Sequence, residues 1–235
     1  MKTQTYFLLI FLLISTAVFS QKPKAFIGIS AGLSSPRSDF ASKDFDSSGA
    51  GFALNGLNLN LMYAHRLFYN FGITGCLLFN SHSFDSEAFR SEIAADTIDY
   101  TLTVVPKNWS GGGVLAGPFL YFPLGDYFNI DLRTLIGFYT VYSPEIVVTG
   151  QKPNGENFQL SLLKYNGIGF AYDIGTTVRV KFGNASYLMF NADYFSSKPT
   201  FKDVNWIDNN GEIESGTFKR DISMINLTVG LGYAL

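Results

Sequence analysis

Eight segments of this chain alternate apolar side chains with polar or small ones, and a period of two is the period of a β-strand. They cover 26–33, 56–63, 71–80, 113–122, 128–138, 167–182, 188–195 and 224–235. Three connections between them are short (64–70, 123–127, 183–187) and four are long (about 34–55, 81–112, 139–166, 196–223). Long and short alternate strictly, long first. An antiparallel up-and-down meander with one tight end and one elaborate end gives that order. It is the layout of an outer-membrane barrel, with short periplasmic turns and long extracellular loops. Eight strands put both termini on the short-turn side, as a chain inserting from the periplasm requires.

The two faces differ sharply. One parity, which includes Ile29, Leu61, Phe79, Leu132, Phe170, Phe190 and Leu227, holds 42 positions with no charge and a single Gly. The other carries Asn58, Asn60, Asn129, Asp131, Arg133, Asp173, Arg179, Lys181, Asn191, Asp193 and Asn226, together with twelve Gly. A soluble barrel or sandwich also alternates, burying its apolar face. Three features place lipid outside instead. The apolar face is rich in Phe, Leu and Ile on every strand, whereas the interior of a small barrel tapers with mixed sizes. The polar face is Gly-rich, as suits the crowded lumen of eight strands. Aromatics gather at the short turns as one interfacial girdle: Tyr63, Phe68, Tyr69, Phe71, Tyr121, Phe122, Tyr127, Phe128, Phe182, Tyr187 and Tyr233. A closed barrel leaves no backbone group unpaired in lipid. An arginine at Leu227 is therefore expected to cripple insertion, and one at Thr228, facing the lumen, to be milder. Pro118 lacks a donor inside a strand, so a bulge or kink is expected there.

Composition removes other classes. Only 15% of the 235 residues are charged while 16% are aromatic, which excludes a disordered tail. The net charge of −2 gives no basic field, so no nucleic-acid partner is expected. One Cys (Cys76) and two His (His65, His82) provide neither a disulfide framework nor a zinc set, and no cofactor is expected. Residues 1–20 read as a cleaved signal peptide, with Lys2 as the charged start, Tyr6–Phe19 as the apolar run and Ser20-Gln21 as the junction. That run is shorter than the roughly 20 residues a spanning helix needs. Residues 21–235 form one barrel domain.

Several phrases resemble the outer-membrane β-barrel proteins (porin-family, PorT-like) common in the Bacteroidota. They are Leu115-Ala-Gly-Pro-Phe, Ile130-Asp-Leu-Arg-Thr-Leu-Ile-Gly, Asp193-Tyr-Phe-Ser-Ser-Lys-Pro and the closing Asn226-Leu-Thr-Val-Gly-Leu-Gly-Tyr. The resemblance spans the mature chain and implies an outer-membrane barrel, with no reaction and no defined ligand. Outer-membrane lipid and the barrel assembly machinery, acting on the C-terminal strand, are the implied partners. That strand ends here in Leu235, where such barrels usually end in an aromatic.

The inward charges, Asp131, Asp173 and Asp193 against Arg133, Arg179 and Lys181, read as a self-neutralising plug, since paired charges relieve each other's desolvation. The competing reading, an ion path or acid–base site, needs a cavity that eight strands barely offer. His82, flanked by Ser81 and Ser83 with Asp85 nearby, reads as a solvated loop histidine, because sequence adjacency does not supply triad geometry. Cys76 reads as a small inward residue. The loops 34–50, 84–109, 143–164 and 199–220 hold 14 of the 19 acidic residues and 9 of the 17 basic ones. They read as a solvated acidic crown, with Phe201 and Trp206 as candidate extracellular contacts. Within them 97–105, 145–149 and 157–163 read as strands continuing past the membrane, with hairpin turns at Pro153-Asn-Gly and Asp208-Asn-Asn-Gly. Three functions compete: a structural or interaction barrel acting through its loops, a small pore or carrier, and an enzyme using the His82 region. The filled lumen favours the first.

Overall fold

The computed structural model describes residues 24–44, 49–96, 101–151, 155, 157–207 and 213–235. The expected signal peptide, most of the Pro153 turn and the Asp208-Asn-Asn-Gly turn lie outside the described residues. In chain order the elements are β1 (Ala25–Arg37), α1 (Ser38–Ala41), β2 (Ala53–Phe68), β3 (Phe71–Phe84), α2 (Ser86–Asp96), β4 (Thr101–Pro106), β5 (Trp109–Leu124) and β6 (Phe128–Tyr142). They continue with β7 (Ile146–Gln151), β8 (Asn157–Leu162), β9 (Asn166–Lys181), β10 (Ser186–Ser197), β11 (Thr200–Ile207), β12 (Ile213–Lys219) and β13 (Ile222–Ala234).

Eight of the strands close on themselves. Antiparallel ladders join β1, β2, β3, β5, β6, β9, β10 and β13 in turn. A twelve-pair ladder from Phe26↔Ala234 to Arg37↔Ser223 then returns β13 to β1. The fold is thus a closed eight-stranded antiparallel up-and-down barrel, each strand containing one of the eight alternating segments. Closure satisfies every strand edge, which an open sheet of this length would leave exposed. The parity is as read: Leu227 is 56% exposed and Thr228, one residue on, is 3% exposed. The turns are tighter than the sequence suggested. The β2–β3 ladder runs on to Phe68↔Phe71 across a register shift, leaving Tyr69, at φ +43°, and Asn70 to turn the chain.

Pro118 makes no bulge. On one side it pairs with Ile73. On the other, the β5–β6 ladder passes from Ala116↔Ile136 to Phe119↔Arg133 in constant register. A proline without a donor interrupts the rungs there without shifting them.

The long-loop end departs most from expectation. Instead of continuing the barrel wall, β4, β7 and β8 pair with one another in a separate three-stranded sheet. The β11–β12 hairpin does continue the wall, docking on β9 through Thr200↔Ile168 and Phe201↔Gly167. Nor is the crown a loose solvated shell. Phe40, Phe52, Phe84, Phe89, Leu102, Trp109, Ile146, Val148 and Phe201 are buried in one apolar cluster with Leu78, Leu115, Leu135, Tyr139, Phe195 and Met224 of the barrel strands. The loops fold down into the barrel mouth. Phe201, expected as an exposed contact, is 0% exposed and stacks on Phe218 at 5.0 Å. An aromatic ring this large is more stable in that core than in water by roughly 1.5–3 kcal/mol. The side chain of Trp206 lies outside the described residues. Two members of the proposed girdle, Tyr121 and Tyr187, also turn inward and are buried. Among the described residues, no helix is long and apolar enough to cross a membrane.

Candidate functional site

The lumen is the place where the sequence concentrates charge, and it is filled in three layers. At its middle, the pleat aims Arg133 of β6, Asp173 of β9 and Asp193 of β10 at one another. Arg133 Nη2 donates to Asp193 Oδ1 at 2.5 Å. Asp173 Oδ1 approaches Arg133 Nε no closer than 4.0 Å, and neither atom has a hydrogen-bond partner. Gly175 makes this packing possible, because a Cβ there would overlap the Asp193 carboxylate.

From Arg133 a one-way chain of donors crosses the barrel. Arg133 Nη1 donates to the Thr177 hydroxyl, and Thr177 donates to Asn191 Oδ1 at 2.7 Å. Asn191 Nδ2 donates to Thr228 Oγ1 at 2.9 Å, and Thr228 to Ser30 Oγ at 3.1 Å. Five strands, β6, β9, β10, β13 and β1, are thereby braced side chain to side chain. Each donor in such a row polarises the next. Thr228 is a packed member of this brace, so the milder outcome expected for an arginine there does not survive: the guanidinium has no room.

Towards the short turns, Arg179 Nη2 donates to Asp131 Oδ1 at 2.7 Å. Its guanidinium lies 4.6 Å from the Phe26 ring centroid, 5.1 Å from Tyr121 and 5.6 Å from Tyr187. Aromatic faces stabilise a desolvated cation there. Lys181, expected in the plug, is only half-buried and, among the described residues, joins none of these pairs. The buried layer therefore holds three acids and two bases.

Towards the loops, His82 is buried, not solvated. Its Nδ1 donates to the Leu54 carbonyl at 3.1 Å, and its Nε2 lies 3.2 Å from Ser34 Oγ. Neither Ser81 nor Ser83 is its partner. Ser34 donates to Asn226 Oδ1 at 2.5 Å, so its single proton is committed away from the imidazole. Phe40 closes over the pair, 5.1 Å from the His82 ring and 5.5 Å from the Trp109 ring, both edge-on. The Trp109 indole N–H donates to the Gly51 carbonyl at 2.9 Å, and the Arg220 guanidinium lies 5.5 Å from its ring. Arg220 also donates to the Ala50 carbonyl. Gly111 leaves the space that the Tyr139 hydroxyl needs to donate to Asn80 Oδ1 at 2.7 Å.

Asp85 does not orient His82. It caps α2, accepting from the Ala88 N–H at 2.9 Å, and pairs with Lys43 of the first loop at 2.5 Å. The Ala88 N–H and the Lys43 ammonium together hold its carboxyl below the usual carboxylate range. Cys76 is a buried free thiol. The roof residues Phe40, Phe52, Phe89, Trp109 and Arg220 were invisible to period counting, because they lie outside the eight alternating segments. The aromatic density of 40–52 and 84–109 was the available sign.

No protein-family model matches this chain, and no curated protein matches it. Solved structures do. The attachment invasion locus protein Ail of Yersinia pestis is 14% identical with a TM-score of 0.46, over 91% of this chain and 99% of that one. Neisserial surface protein A is 9% identical with a TM-score of 0.40, over 90% of this chain and 97% of its own. The outer membrane protein AlkL is 12% identical with a TM-score of 0.41, over 93% and 92% respectively.

Proposed function

We propose that this chain is an exported outer-membrane barrel that neither conducts nor catalyses and works through its folded crown. The observation that carries this reading is the filled lumen. An apolar roof, a charge-and-hydroxyl brace and an Arg179–aromatic layer follow one another along the axis. An eight-stranded lumen is about wide enough for side chains alone, and every level here is occupied. The uncharged outer face and the ring of Tyr63, Tyr69, Tyr127, Phe128, Phe182 and Tyr233, all exposed, support lipid around the barrel. The cleaved leader at 1–20, the loop-outward orientation and kinship with the PorT-like barrels belong to the same proposal and rest on the sequence phrases. A hydrolase at His82 finds no support, because Ser34 and His82 are sealed beneath Phe40 and, among the described residues, no carboxylate contacts the imidazole. The crown is the surface left for a partner.

Planar-bilayer recording of the purified mature protein tests the reading. The expected result is no stable unitary conductance, since ion flow requires buried pairs to part. Reproducible open steps would replace it with the small-pore alternative.

A further inference from the structure

The short-turn mouth of the barrel holds a cleft that the closed lumen does not explain. Its walls include Lys24, Phe26, Arg66, Tyr121, Arg179 and Tyr187. Three of its lining residues are cations and none is an acid. The space inside is about 20 Å³, room for one water-sized group. The site is built, not incidental. The Arg66 N–H donates to the Lys24 carbonyl at 2.7 Å, fixing these two residues side by side on β2 and at the start of β1. The Arg66 guanidinium lies 5.4 Å from the Tyr121 ring centroid, and the Arg179 guanidinium lies 5.1 Å from the same centroid. Arg179 is 7% exposed, yet its Nε has no hydrogen-bond partner, although its Nη2 is held by Asp131.

A buried guanidinium edge with an unused donor, beside two further cations, is suited to a planar or tetrahedral oxyanion. We propose that the mouth formed by Lys24, Arg66 and Arg179 binds a phosphate group, one oxygen of which enters the cleft beside the Arg179 guanidinium while Lys24 and Arg66 close on it from the rim. The exposed aromatic ring surrounds this same end, so the phosphate of an anionic lipid headgroup reaches it as readily as a free phosphate does. This proposal concerns the end opposite the crown and stands or falls separately from the non-conducting reading.

The test uses the full-length mature protein with arginine side chains labelled with nitrogen-15, following the Arg179 Nε resonance. One arm titrates inorganic phosphate into the detergent-solubilised protein. The other compares nanodiscs of phosphatidylglycerol with nanodiscs of phosphatidylcholine. Arg179 itself is not substituted, because removing it strands Asp131 and threatens folding. Lys24→Ala and Arg66→Gln leave the buried pairs in place, and gel mobility before and after boiling confirms that each variant folds. A saturable shift with inorganic phosphate, weakened about tenfold in either rim variant and retained in Arg66→Lys, supports a free-phosphate site. A shift only in phosphatidylglycerol discs, lost in the rim variants, supports a headgroup site. No shift in either arm, or a shift of equal strength in both rim variants, overturns the proposal.

Discussion

Arg133 faces two carboxylates and satisfies one of them. Asp193 receives its Nη2 at 2.5 Å, and Asp173 Oδ1 stands 4.0 Å from Nε with no hydrogen-bond partner. Asp193→Asn and Arg133→Ala should each lower stability by about 3–5 kcal/mol, because each strands a buried charge. Asp173→Asn should be neutral or stabilising, since it removes the more distant of the two carboxylates that share Arg133. The midpoint of urea unfolding, followed by the gel shift between folded and boiled forms, distinguishes the three; an equal loss for both asparagines would contradict this asymmetry. Asp85 offers a second check, by pH. Its carboxyl is held below its ordinary range when folded, so its contribution is present above the unfolded pKa of about 3.9 and is lost as pH falls through the folded value. Amide exchange across α2, corrected for intrinsic rate, should therefore accelerate selectively once the pH falls below the ordinary carboxylate range, and Asp85→Ala should produce the same loosening, about 1 kcal/mol, already at pH 7. If the helix amides of the variant exchange like the wild type at neutral pH, the cap is idle.

At the scale of the strand, parity decides which face lies outside the barrel and which face meets neighbours. Leu227→Arg places a cation on the outer face of β13 and should cost about 2–4 kcal/mol and block insertion. Leu227→Ala should be mild there, whereas Thr228→Leu, one residue along, should be severe, because Ser30 and Asn191 already occupy that space. Folding yield in lipid vesicles reads both; a tolerated Thr228→Leu would mean the brace is loose. The same parity made the eight barrel strands legible from residue types alone. It could not place the loops. β4, β7 and β8 alternate like any strand, and alternation carries no record of which partner a strand will take. Nor could it foresee α2, whose identity rests on the Asp85 cap and on Phe89 finding the roof, both set by tertiary packing. The inward charges were legible as residues, but the exclusion of Lys181 followed from its position at the rim of β9.

Across the whole molecule, closure is redundant. Phe40→Ala should destabilise the roof by about 3–5 kcal/mol and still yield no conductance, since the Arg133 brace and the Arg179 layer lie below it. Bilayer recording of that variant decides whether the barriers are stacked or whether the roof alone seals the barrel. The sheet made by β4, β7 and β8 has a separate consequence. Its strands come from two different loops, β4 lying between β3 and β5 and the other two between β6 and β9. An antibody raised against this surface should therefore recognise a shape assembled from distant stretches of chain, and synthetic peptides copying either loop alone should make poor immunogens against the intact cell.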